Sequence, residues 1–81
     1  MNMVTIGKLN RLVAEWHRRN ENAQKKRGRG IDPHIKAPGG RFLASMATLL
    51  DKSIETIPVD GVPRPAVRYR DIWFVSYGKD L

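Results

Sequence analysis

The sequence predicts an α+β domain in which two helices pack on a small antiparallel sheet, with a mobile basic connection rich in Gly and Pro between them. Three observations lead there. Residues 6–19 and 41–54 carry apolar side chains at helical spacing. Val67 to Tyr77 alternates in the manner of a strand. Between the two helices apolar residues almost vanish, and Gly, Pro and basic residues take over. With 81 residues, the whole chain is expected to form one domain. Its core is thin, because so short a chain buries only about 60% of its unfolded surface.

In the first element Ile6, Leu9, Leu12, Val13 and Trp16 recur at helical spacing, with Thr5 placed to cap the first turn. The predicted helix spans 6–19 and frays on towards 26. Leu9, Val13 and Trp16 share one side, while Arg11, Arg18 and Lys25, spaced seven apart, fall on the opposite side. Glu15 stands four residues from both Arg11 and Arg19, close enough to pair along the helix. From His17 to Arg29 the only apolar residue is Ala23, so nothing there holds the chain to a core. Gly28-Arg29-Gly30 breaks the helix. Asp32-Pro33, Ala37-Pro38 and Gly39-Gly40 mark residues 31–40 as loop. Residues 20–40 are therefore expected to be a flexible basic loop, mobile or ordered only when bound.

Arg41 to Ile54 is the clearest helix. Phe42, Leu43, Met46, Ala47, Leu49, Leu50 and Ile54 give it a wide apolar face, and Pro58 stops it by Ile57. Asp60-Gly61 signals a turn. The strand that follows is expected to place Val67, Tyr69, Trp73, Val75 and Tyr77 on one face and Arg68, Arg70, Ile72, Phe74 and Ser76 on the other. Its backbone groups need partners. Residues 56–60 and Met3 to Thr5 are the candidates.

Several chemistries find no support in this pattern. There is no cysteine, so disulfides, thiolate metal sites and a thiol nucleophile are excluded. No spacing matches a metal-ligand set or a phosphate-cradling glycine loop. Asp32-Pro33-His34 brings a carboxylate near an imidazole, but in a Pro/Gly-rich loop without a second carboxylate cluster. General-base chemistry requires a held geometry. The expectation is a protein that is not an enzyme and uses no cofactor or metal. No secretory signal and no apolar stretch of membrane-spanning length are seen, so a cytoplasmic location and no membrane partner are expected.

Charge carries the functional signal. The chain holds 15 Lys plus Arg against 8 Asp plus Glu, a formal net charge of +7. Residues 1–41 hold ten of the bases and three acids; residues 42–81 hold five of each. The entire excess lies in the first half. A local excess of this kind points to an anionic partner. Arg11, Arg18, Arg19, Lys25, Lys26, Arg27 and Arg29 are the predicted contacts, with Met3, Val4, Ile6, Arg68 and Arg70 as additional ones. Such residues neutralise phosphate and release counterions, while Asn20, Asn22 and Gln24, interleaved among them, offer amides to base edges or backbone oxygens. Aromatics mixed with arginine near the C-terminus suit base stacking, but a domain with few aromatics also needs them for burial. Met1, Met3, Val4 and Ile6 could form an edge strand or add to the edge of another protein.

Residues 14–27, Ala-Glu-Trp-His-Arg-Arg-Asn-Glu-Asn-Ala-Gln-Lys-Lys-Arg, resemble the arginine-rich helices of phage N-type antitermination proteins. Those short helices bind an RNA hairpin and act with RNA polymerase. The likeness is one of residue type over about one sixth of the chain. Two departures stand out: lysines share the load here, and a foldable domain follows. The resemblance implies a class, a small phage-type transcription regulator, and no individual contact. The expected function is thus non-catalytic binding of RNA or DNA in transcription control. The alternative is an inhibitor or modulator that docks on an acidic surface of a large host machine such as RNA polymerase.

Overall fold

A computed structural model describes residues 4–77. The elements follow in the order α1 (Ile6–Arg27), β1 (His34–Ala37), α2 (Gly40–Leu50), β2 (Glu55–Val59), β3 (Val62–Tyr69) and β4 (Ile72–Ser76). The strands form one sheet in the order β1-β4-β3-β2. β2 to β4 make an antiparallel meander, and β1 joins the free side of β4 in parallel. The architecture is α+β, and its sheet is mixed where the sequence predicted an antiparallel one.

α2 is buried along Phe42, Leu43, Met46 and Ala47 and lies directly on β3, β4 and β1. It ends four residues before its predicted limit. Asp51 turns into the left-handed region (φ 53°), and its N–H closes on the carbonyls of Ala47 and Thr48. Aspartate tolerates that conformation better than most residues. Ile54, expected on the apolar face, lies beyond this end and is exposed; Leu49, expected there too, is exposed within the helix, away from the buried side of Phe42, Leu43, Met46 and Ala47.

The predicted strand 67–77 is two strands. Tyr69 and Ile72 are directly paired across a two-residue turn at Arg70-Asp71, with Arg70 at φ 59°. The turn resets the alternation, because residues on either side of it pair and share a face. Val67, Tyr69, Ile72 and Phe74 thus point together to the helices, joined by Ile35 of β1. Trp73, Val75, Ala66 and Val59 form a second, smaller cluster on the opposite face, with Ile57 and Tyr77 against it. The expected pairing of residues 56–60 takes the form of β2 against β3. Their connection is Asp60-Gly61, both at positive φ, the preferred tight turn for a hairpin.

Two further expectations are corrected. Val4 and Thr5 form no strand: Val4 is buried in the main core, and Thr5 caps α1 through its hydroxyl, which accepts from the Lys8 N–H at 3.1 Å. Met3 lies outside the described residues. Residues 20–40 are also more than loop. α1 continues to Arg27, and residues 34–37 are the β1 strand. β1 is only four residues long, and its partner β4 lies some forty positions away in the chain.

The main core joins Leu9 and Val13 of α1 to Leu43, Met46, Val67, Ile72 and Phe74, all essentially inaccessible. The rings of Phe42 and Phe74 stack at 6.2 Å between centroids. Leu43→Ala should therefore cost about 2–5 kcal/mol by loss of transfer energy and cavity formation. Leu49→Ala, two turns further along the same helix but exposed, should stay within about 0.5 kcal/mol. Urea unfolding followed by circular dichroism checks both.

Candidate functional site

α1 has 22 residues and so is about 33 Å long, close to the longest dimension of the molecule at 36 Å. Its first half is bound to the core through Leu9, Val13 and the half-buried Leu12 and Trp16. Beyond Trp16 the helix presents polar residues on nearly every side. A helical segment without a buried stripe is marginal by itself, so other contacts must hold it.

The chain supplies them by running back alongside. Gly28 takes a left-handed conformation (φ 75°), and its N–H closes the helix on the Gln24 carbonyl at 2.9 Å. The Ile31 N–H donates to Asn20 Oδ1 at 2.9 Å. The Trp16 Nε1–H donates to the Asp32 carbonyl at 2.9 Å, and the His34 N–H donates to the same oxygen at 2.8 Å. Gly30 passes so close to the helix that a Cβ there would collide with the Asn20 amide oxygen. Asp32-Pro33-His34, weighed in the sequence as a chemical pair, acts through its backbone as the hinge from helix to sheet.

Three residues at the end of α1 are basic, Lys25, Lys26 and Arg27, where the negative end of the helix dipole favours them. Projected around the helix, Lys8, Arg11, Arg18, Arg19, Lys25 and Lys26 occupy the side away from Leu9 and Val13. Arg11, Arg18, Arg19, Lys25, Lys26 and Arg27 are all exposed, as is Arg29 just beyond. None of them forms an ion pair among the described residues, where the single salt bridge joins Arg68 to Asp71 at 3.5 Å. Glu15, expected to pair with Arg11 and Arg19, pairs with neither. The result is a cationic stripe along the outer side of α1, interrupted by Glu15 and Glu21, with no ion pair to either among the described residues.

The other predicted contacts are dispersed. Val4 is buried and cannot meet a partner. Ile6 is exposed at the first turn of α1. Arg70 sits at the β3–β4 turn, and Arg68 lies over the Trp73 ring at 5.9 Å on the sheet face opposite the helices. Both are exposed, but Arg68 is already engaged by Asp71. On that face Arg64 lies over the Tyr77 ring at 4.7 Å and donates to the Tyr77 carbonyl at 3.2 Å.

Lys8 and Lys36 are cations that the list of predicted contacts omitted. Lys8 stands three residues before Arg11, at the edge of the stripe, half-buried with its ammonium over the Phe42 ring at 5.7 Å. Lys36 is placed by β1, which the sequence hid. It lines a cleft of about 620 Å3 between α1 and β1, shared with Trp16, Arg19, Ile31, Ile35 and Tyr77. No group of three or more His, Cys, Asp or Glu is arranged to hold a metal among the described residues. No helix among them is long and apolar enough to cross a membrane.

No protein-family model matches the chain, and no curated protein or solved structure matches it either.

Because Arg18 and Lys25 form no ion pair among the described residues, reversing both should leave folding intact. Arg18→Glu with Lys25→Glu should unfold within about 1 kcal/mol of the parent, the cost coming from a carboxylate in the last turn. Gly30→Ala should displace the Asn20 side chain and break its exposed bond to Ile31, at a cost of about 0.5–1.5 kcal/mol. Faster amide exchange at Ile31 in the alanine variant, with that at Phe74 unchanged, would show the tether loosening while the sheet persists.

Proposed function

We propose that this protein is a non-catalytic nucleic-acid-binding regulator that docks through the outer side of α1, acting in transcription control. The observation that carries this reading is the cationic stripe itself. Six exposed Lys and Arg residues lie along one helix, and no carboxylate among the described residues engages them. Surface charge that serves only solubility is normally of mixed sign and scattered. Here seven bases stand against two acids over the length of a helix, and phosphate at regular spacing is the anion that such an array fits.

The mechanism is positioning. α2 and the sheet form the mount, the first half of α1 is fixed to it, and the second half projects the charge. Phosphate contacts from Arg11, Arg18, Arg19, Lys25 and Lys26 would set affinity and register, but they carry no sequence information. Asn22, on the same outer side as Arg18 and Lys26, is the side chain placed to reach a base edge. Asn20 is not free for that role, since its carbonyl oxygen holds Ile31.

Binding through about six phosphate contacts should weaken roughly a thousandfold between 50 and 200 mM salt. Fluorescence anisotropy with labelled RNA and DNA at both concentrations measures this, and the Arg18→Glu, Lys25→Glu protein should lose most of the affinity. If binding is undetectable at 50 mM salt, the reading fails, and an acidic protein surface, such as one on RNA polymerase, becomes the partner to test.

A further inference from the structure

We propose that the cleft between α1 and β1 receives one unpaired base of a single-stranded or looped nucleic acid. This rests on the proposed phosphate-binding reading of α1 and names the form of nucleic acid that the site prefers. The cleft is continuous with the stripe, because Arg19 belongs to both. Its volume, about 620 Å3, falls within the range of small-molecule sites, about 300–1,000 Å3.

The chemistry of the walls selects the occupant. Leu12, Trp16, Ile31 and Ile35 supply apolar and aromatic surface. The indole of Trp16 is fixed in orientation by its bond to the Asp32 carbonyl and by edge contact with the His17 ring, 5.0 Å away at 81°. A plate already held in place loses little freedom when a base stacks on it. Arg19 from the helix and Lys36 from the strand also line the cleft, both exposed, and suit the phosphates on either side of an inserted base. Glu15 also lines the cleft. A carboxylate there repels a bare anion or an acidic peptide, yet it accepts a hydrogen bond from the exocyclic amine of a base, as it does from cytosine. Pairing of an extended peptide with β1 is also disfavoured. The edge strand is four residues long and carries Lys36, features that blunt strand addition.

The two tryptophans make the test direct, since Trp16 lines the cleft and Trp73 lies on the far face of the sheet. In Trp73→Phe only Trp16 emits; in Trp16→Phe only Trp73 does. Each is titrated at 50 mM salt with an unstructured eight-nucleotide RNA of A and C, and with the same strand annealed to its complement. The single strand should quench Trp16 saturably, the duplex should not, and Trp73 should stay flat. A Trp16→Leu variant, with its circular dichroism checked against the parent, should bind the single strand roughly 5- to 150-fold more weakly, the range expected for one stacked base. Salt-sensitive binding of both nucleic acids with Trp16 silent would overturn the base site and leave the phosphate reading standing. Quenching of Trp73 in place of Trp16 would overturn it in favour of the opposite sheet face. Absence of binding by either nucleic acid would remove both proposals.

Discussion

One helix is made to serve two opposed requirements, and the rest of the structure follows from how that is met. The first half of α1 is committed to the core, where Leu9 and Val13 are fully buried. Each such burial contributes about 1.5–3 kcal/mol. The second half has no apolar stripe and carries like charges, so it gains nothing from the core and is opposed by its own repulsion. It is held by a backbone that returns along it: the Gly28 cap, the Asn20 bond to Ile31, and the Trp16 bond to Asp32. Those few polar contacts convert a run of basic residues into a surface with a fixed shape.

The distribution of ion partners separates the two groups of arginines. Arg64 and Arg68 on the sheet face are occupied by aromatic rings and by polar partners, Tyr77 and its carbonyl for one, Trp73 and Asp71 for the other. There the positive charge helps to cover a small apolar cluster. On α1 Lys8 alone among the described cations meets a ring, that of Phe42 at 5.7 Å, and the cations beyond it cover no aromatic surface. Electrostatic free energy left unspent in folding is available for association, and a helix axis is stiff enough to present it with defined spacing.

Much of the fold is legible in the residues, and what is hidden is hidden for identifiable reasons. α2 announces itself through Phe42, Leu43, Met46 and Ala47, and Asp60-Gly61 names its own turn. β1 is invisible because four residues between two prolines carry no alternation that could be recognised, and its parallel partner is remote in sequence. The Arg70-Asp71 turn lacks the Asn-Gly or Asp-Gly pairing that marks tight hairpins, so the strand reads straight through it and Ile72 and Phe74 are assigned to the wrong face. Gly30 looks like a helix breaker, whereas its role is close approach to Asn20. The stripe itself is visible as charge at helical spacing. Its freedom from carboxylates is not, because Glu15 and Glu21 stand where pairing would have been possible.

The central claim is that the outer side of α1 is the surface that meets phosphate. Amide chemical-shift mapping of the labelled protein on addition of RNA or DNA at low salt tests it most directly. Shifts should concentrate at Arg11, Arg18, Arg19, Lys25 and Lys26 and spare the β2–β3 hairpin at Asp60-Gly61. Shifts centred on the sheet face at Arg64 and Arg68, with α1 unperturbed, would contradict it.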